Sequence, residues 1–196
     1  EGVAQLMLDA IGQADAPLTL ERLFQWHRWL FPVFDPVWQR VHAGCLRGEE
    51  PMQVVSGRLD RPTVHFEAPP RARLEAELAD FLVWFRASGE DAALDPLLRA
   101  GLCHFYFVTL HPFDDGNGRI TRALTDLALV QADRQAIRLY SVSAAILERR
   151  RDYYRVLEQC QRAGLDITDW LVWFLETVMQ AVQTAEAVLE HTLARP

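Results

Sequence analysis

Residues 111–122 read HPFDDGNGRITR, and the segments on either side make this stretch the pivot of the chain. The segment before it, DPLLRAGLCHFYFVTL (95–110), is apolar almost all round. Such a helix belongs at the centre of its domain. Asp95 followed by Pro96 supplies an N-cap and a proline at the first helical position. Pro112 disfavours helical geometry at His111, so the helix should stop there with the imidazole at its end. Phe113 is the one large apolar residue of the loop and should pin it to the core. Gly116-Asn117-Gly118 permit positive φ and close backbone approach. Their N–H groups can turn inward as an anion nest at the start of the next helix, expected over about 118–133.

Arg119 and Arg122 are three apart and share a face of that helix. Both stand in its first turns, where the helix dipole disfavours cations by roughly 0.3–1 kcal/mol each. A bound polyanion makes sense of the placement, and arginine forks suit phosphate. Asp114 or Asp115 beside a phosphate site could hold Mg²⁺, and His111 could serve as a general base. Alternatives stay open at this level. The arginines could pair with the aspartates across the turn, or His111 and both aspartates could ligate a metal in a hydrolase. The latter is the weaker reading because it needs more histidines, and His104, one heptad before His111, reads as a core residue.

Outward from the motif, the helical period dominates. Val3, Leu6, Met7, Ala10 and Ile11 form a stripe over residues 2–13. Thr19 caps LERLFQWHRWLF, which Pro32 ends. Gly44, Gly48 and Pro51 make 33–51 a loop. MQVVSG (52–57) and TVHFEA (63–68) are the only strand-like runs and form a hairpin across a link of about five residues. Leu74, Leu78, Phe81, Leu82 and Phe85 stripe the next helix. Later helices should cover Ser143 to about 162 and about 168–192. The fold class is therefore all-α, one domain over 1–196, with one inserted hairpin.

Composition sets limits. Of 196 residues, half are hydrophobic, and the formal charge is −7, which argues against a general nucleic-acid surface. Cys45, Cys103 and Cys160 are few, dispersed and odd in number, so neither a disulfide scaffold nor a zinc site is expected. A reducing, cytoplasmic home follows as the expectation. No apolar run approaches a membrane span, and the first residues do not resemble a signal peptide.

HPFDDGNGRITR also fits, without departure, the H-x-F-x-[DE]-G-N-G-R-x-x-R signature of Fic domains. The chain resembles that family from about residue 3 to about 180. PMQVVSG and VHFEAPP look like the flap hairpin of bacterial Fic proteins that carry an extra N-terminal region. The resemblance implies a Fic-fold helical bundle whose flap overlies the active site. It implies a protein adenylyltransferase that moves AMP from ATP to a Ser, Thr or Tyr hydroxyl of a target protein. His111 would be the base, and Asp115 would hold Mg²⁺. Gly116, Asn117 and Gly118 would form the anion hole. Arg119 would hold phosphate oxygens and Arg122 the γ-phosphate. The flap, Gln53, Val54 and Val55 with Val64, His65 and Phe66, would dock the target by strand addition. Tyr153, Tyr154 and Gln161 are adenine-pocket candidates. Arg149 to Arg151 read as a solvated face.

Related family activities transfer UMP, GMP, phosphocholine or phosphate. Doc-like kinases replace the later motif glycine with a basic residue, and Gly118 is intact. A regulatory nucleotide-binding module is the remaining alternative, against which His111 argues. Many family members carry an inhibitory helix, [ST]-x-x-x-E-[GN]. No such pattern lies in 1–196, although Glu1-Gly2 could be the tail of one. A trimmed N-terminal region or an antitoxin-like partner would then supply the brake, or the enzyme is unrestrained.

Overall fold

A computed structural model describes residues 1–32, 41–58, 61–133 and 140–194, with 56–58, 61–63 and 133 described by backbone alone. Among the described residues there are eight helices and one hairpin: α1 (Gly2–Gly12), α2 (Leu20–Leu30), β1 (Gln53–Arg58), β2 (Arg61–Glu67), α3 (Arg71–Glu90), α4 (Pro96–Leu110), α5 (Asn117–Asp133), α6 (Val142–Glu148), α7 (Arg150–Arg162) and α8 (Thr168–Leu193). None of the described helices is long and apolar enough to cross a membrane.

The centre is α4 packed on α5. Ala100, Cys103, His104, Phe107 and Leu110 of α4 are buried on several faces, as the all-round apolar sequence requires. Asp95 caps the start of the helix by accepting from the N–H groups of Leu97 and Leu98. Gly101 lets α8 approach, since a Cβ there would come within 2.9 Å of Phe174 Cδ1. Trp170 of α8 donates its indole N–H to the Gly101 carbonyl at 2.8 Å. On the other side α1 packs against α5 and α2, and α3 packs against α4. Asp9 of α1 accepts from Arg22 Nε (2.8 Å) and Trp26 Nε1 (2.6 Å) of α2, so the first two helices are clamped by charge-assisted bonds. Thr19 caps α2, accepting from Arg22 N–H at 3.1 Å.

Three expectations need correction. The helix anticipated from Ser143 to about 162 is two helices, broken at Arg149 (φ −97°, ψ 24°). Arg149 is not on a solvated face. It donates to Thr177 Oγ1 at 2.9 Å and lies over the Trp173 ring, so its guanidinium is spent on docking α8. The hairpin link is shorter than five residues: β1 runs to Arg58, β2 begins at Arg61, and Pro62 pairs with Gly57 inside the ladder. A bulge sits between Val54 and Val55. Part of the 33–51 loop, residues 33–40, lies outside the described residues. The remainder of that loop has no helix or strand.

A buried polar chain ties α7 to the centre. Thr121 Oγ1 donates to the Asn117 carbonyl, and Thr125 Oγ1 donates to the Thr121 carbonyl. Because the Thr125 proton is committed, its oxygen accepts from His104 Nδ1–H at 2.9 Å. His104 Nε2 then accepts the Tyr153 hydroxyl at 3.0 Å. Complete burial and the Arg122 charge drop the His104 pKa to about 3, so the ring is neutral and every group in the chain is satisfied.

Candidate active site

The motif loop joins the C-terminus of α4 to the N-terminus of α5. His111 ends α4 in the left-handed region, φ 48° and ψ 56°. No other described non-glycine residue has positive φ. Pro112 blocks continuation of the helix, and the left-handed turn follows. That conformation costs of order 1 kcal/mol or more and persists only where neighbours over-determine it. Nδ1–H donates to the Val108 carbonyl at 3.2 Å. This fixes the tautomer and leaves Nε2 as the lone-pair nitrogen, with no protein partner among the described residues. Burial lowers the His111 pKa. The Val108 bond pushes it up, the Arg47 charge adds to the lowering, and Asp115 opposes it. The net effect is a neutral imidazole at neutral pH.

Phe113 is fully buried, with its ring stacked on His27 at 4.2 Å. Asn117 is also buried, and its amide closes the loop from both sides. Its Oδ1 accepts from Phe113 N–H (3.0 Å), and its Nδ2 donates to the Phe113 carbonyl (2.8 Å). The side chain of Asn117 is thus committed to the loop, and only its backbone N–H is left to face a ligand. The glycines also differ from expectation. Gly116 alone has positive φ, 82°, while Gly118 is already helical. A Cβ at Gly116 would come within 2.8 Å of the Phe31 ring, so the turn and the packing both require glycine there. At Gly118 a Cβ would meet only Arg122 Nη1, at 3.6 Å. The fold therefore does not need a glycine at 118, and its presence leaves open backbone at the helix N-terminus. Among the described residues no acceptor meets the N–H of Asn117 or Gly118, in keeping with the unsatisfied donors of a helix start.

The two aspartates diverge. Asp114 Oδ2 meets His42 Nδ1 at 3.0 Å. Asp115 is exposed, with Oδ1 on the Gly116 N–H and Oδ2 3.7 Å from Arg119. Among the described residues no three His, Cys, Asp or Glu side chains gather as a metal-ligand set. Asp115 is nevertheless suited to a hard cation of the Mg²⁺ kind, which takes one carboxylate and fills its other positions with phosphate and water oxygens. Arg119 lies over the Phe31 ring at 4.8 Å and is partly exposed. Arg122 makes no ion pair or side-chain hydrogen bond among the described residues. Its charge still reaches inward, opposing protonation of His104.

Two residues that local sequence patterns did not single out hold this loop. His27 of α2 is fully buried. Its Nδ1 accepts from Gly44 N–H at 2.9 Å, so its Nε2–H donates to the Asp115 carbonyl at 3.2 Å. Arg47 donates from Nε to the His111 carbonyl at 2.9 Å. His27 stands at a helical spacing with Leu23, Trp26 and Leu30, so a histidine within an apolar stripe was the available signal.

The remaining candidates fall around the loop. Tyr153 is buried, with its hydroxyl on His104, whereas Tyr154 is half exposed. Gln161 donates to Thr109 Oγ1 at 3.0 Å, two residues before His111. In the hairpin, Gln53 Nε2 bonds Glu67 (2.8 Å), and Val54 pairs with Phe66. Val55 and Val64 are partly exposed. The β2 strand is fastened to α7: His65 Nδ1 meets Glu158 at 2.7 Å, and Arg162 donates to the Val64 carbonyl at 3.0 Å.

A family model described as Fic/DOC family matches residues 17–129. A protein adenylyltransferase fic-1 from Caenorhabditis briggsae is 31% identical over 115 residues, covering 59% of this chain and 20% of that protein. A uridine 5'-monophosphate transferase from Xanthomonas campestris pv. campestris is 30% identical over 127 residues, covering 58% of this chain and 21% of that protein. A solved Fic family protein from Desulfovibrio desulfuricans superposes with a TM-score of 0.72 at 28% identity, over 95% of this chain and 52% of the other. Fic-1 from C. elegans superposes with a TM-score of 0.70 at 20% identity, over 97% of this chain and 51% of the other. The chain thus spans about a fifth of these curated relatives and about half of the solved chains. With the family model matching more than half of its length and the helical bundle with its hairpin reproduced, the chain belongs to the Fic/DOC family.

Proposed function

We propose that this chain transfers AMP from ATP to a hydroxyl of a target protein. The observation that carries the reading is His111: a neutral imidazole whose Nδ1–H is held by the Val108 carbonyl and whose Nε2 is left to take a proton. A binding module has no use for that arrangement. In the proposed reaction Nε2 accepts the proton of a Ser, Thr or Tyr hydroxyl. The oxygen forms a bond to the α-phosphorus, the bond from that phosphorus to the bridging oxygen breaks, and pyrophosphate leaves with the electron pair. The N–H groups of Asn117 and Gly118, the α5 dipole, Arg119 and Arg122 hold the phosphates and offset charge as it shifts. Mg²⁺ held by Asp115 would supply further neutralisation of the phosphate oxygens. Half-exposed Tyr154 is better placed than buried Tyr153 to meet a nucleobase, and Gln161, bonded to Thr109, is the polar candidate two turns on along the same helix.

The target would add a strand to the hairpin. Because Arg162 already occupies the Val64 carbonyl, we assign docking to the β1 edge, Gln53 to Val55, which no other described strand pairs.

The relative named a UMP transferase matches about as well as the adenylyltransferases, so UTP is the second donor to test. Incubation of a lysate with ATP labelled at the α-phosphate should label protein. Label at the γ-phosphate should not transfer, and His111→Ala should abolish transfer while the variant still binds ATP. Transfer from α-labelled UTP in preference to ATP would change the donor. Transfer of the γ-label alone would overturn nucleotidyl transfer in favour of a kinase.

A further inference from the structure

The motif loop does not hold itself in place. Arg47 lies 64 residues before His111, in the irregular stretch between α2 and β1, and is only 2% exposed. Its Nε donates to the His111 carbonyl (2.9 Å), and its backbone N–H donates to the Pro112 carbonyl (3.0 Å). Its Nη2 donates to the Pro69 carbonyl, just past the end of β2. Its own carbonyl accepts from Arg71 Nε at 2.9 Å, in the first turn of α3. One residue therefore grips two successive carbonyls of the motif loop and the exit of the hairpin.

Geometry explains what this grip does. The positive φ of His111 is disfavoured for a side-chain-bearing residue, so outside contacts must impose it. Holding carbonyls 111 and 112 fixes the peptide planes on either side of Pro112, and the plane before His111 is already held by its N–H on the Phe107 carbonyl (3.2 Å), so both planes that flank His111 are set. With the backbone fixed, the Nδ1 bond to Val108 sets the ring, and Nε2 points where the backbone aims it. Lysine would not serve equally, because the guanidinium meets the two carbonyls from separate nitrogens, Nε and Nη2, held in one plane, whereas an ammonium must serve both from a single nitrogen. Among the described residues no carboxylate pairs with the Arg47 guanidinium, and its two acceptors are the His111 and Pro69 carbonyls.

We infer that Arg47 is a positioning residue: it sets the left-handed turn that aims the His111 ring, and it ties that turn to the root of the hairpin flap. The catalytic consequence rests on the proposed transfer, whereas the aiming of the ring does not. The test therefore reads both. Nitrogen-15 NMR of the full chain should show His111 as a single tautomer, with Nδ1 protonated and Nε2 bare. In Arg47→Met that signature should relax to a mixture, and kcat for AMP transfer should fall roughly 10- to 100-fold with KM for ATP changed less than about twofold. Arg47→Lys, which keeps the charge and most of the volume, should fold if the methionine variant does not and should lie between the two. An unchanged ring signature in either folded variant overturns the inference, as does a wild-type kcat. If the wild-type chain transfers nothing, the proposed reaction fails, and the ring signature still decides the role of Arg47.

Discussion

Asn117→Ala should unfold the loop's own support without touching a single charged group. The amide of Asn117 is 1% exposed and makes two bonds, to the N–H and to the carbonyl of fully buried Phe113. Truncation to alanine leaves both backbone groups without partners. A buried, unsatisfied donor or acceptor costs about 1–3 kcal/mol, so the pair should cost about 2–6 kcal/mol. Against a total stability of about 5–15 kcal/mol, that is a large fraction. Urea denaturation followed by far-ultraviolet circular dichroism would read the loss as a lower midpoint at unchanged slope. Asn117→Asp is the control: its carboxylate still accepts from Phe113 N–H but cannot donate to the carbonyl, so it should recover part of the loss. A loss under about 1 kcal/mol in Asn117→Ala would show that Phe113 packing against His27 holds the loop by itself, and the reading of Asn117 would fall.

Acid should destabilise the chain through His104. Its folded pKa is about 3, below the ordinary 6.5, so the native state keeps the ring neutral while the unfolded state takes a proton. The resulting stability is complete above pH 6.5 and is lost as pH falls, by about 3 kcal/mol between pH 7 and pH 4. His104→Gln should flatten that dependence, and an equal pH profile in both proteins would refute it; His27, lowered by burial, acts in the same direction. Gly116→Ala should cost about 1–3 kcal/mol, from positive φ and the 2.8 Å approach to Phe31, whereas Gly118→Ala should leave the melting temperature unchanged or raised, since only Arg122 Nη1 lies near. Arg162→Met should speed amide exchange at Val64 to Phe66 while costing at most about 1 kcal/mol overall, because the bond to Val64 is exposed.

Local chain chemistry explains what could be read in advance. The Asp95-Pro96 start, the stop before Pro112, the Thr19 cap and the apolar stripes are decided within a few residues, and they appear in the fold, except that Val3 of the first stripe is exposed and only Leu6 and Ala10 of it are buried. Tyr153 was also within reach. It stands at i, i+3, i+4 and i+7 with Val156, Leu157 and Cys160, the buried stripe of α7. The break at Arg149 was not, because the apolar period continues across it and the cause lies on α8, at Thr177 and Trp173. The same holds for the loop's supports. His27 meets Asp115 across 88 residues, and His42 meets Asp114 across 72. Such contacts leave no periodic trace, and a lone histidine or arginine in a helix face or loop looks ordinary until the chain closes on it.

Within the motif the backbone is held more firmly than the charged side chains. Its backbone is held at His111 and Pro112 by Arg47, at Phe113 by Asn117 and at Asp115 by His27. Apart from Asp114, which meets His42, its ionic side chains are held far less: Asp115 is exposed, Arg119 approaches it only to 3.7 Å, and Arg122 has no ion pair among the described residues. A turn shaped for stability would do the reverse, pairing two arginines and two aspartates that already lie within nine residues of one another. Here Arg122 instead presses its charge on the buried His104–Tyr153 pair, and both arginines stand at the helix end that repels cations. Because the His104–Tyr153 pair is neutral, only the helix-end placement carries a penalty, and a polyanion bound at the start of α5 would reverse it. ATP should therefore raise the melting temperature of this chain by more than its phosphate contacts alone would give, and Arg122→Met should raise the melting temperature of the free protein while weakening the nucleotide's effect. If Arg122→Met instead lowers the free protein's melting temperature, Arg122 is a structural residue and the phosphate reading of the pair fails.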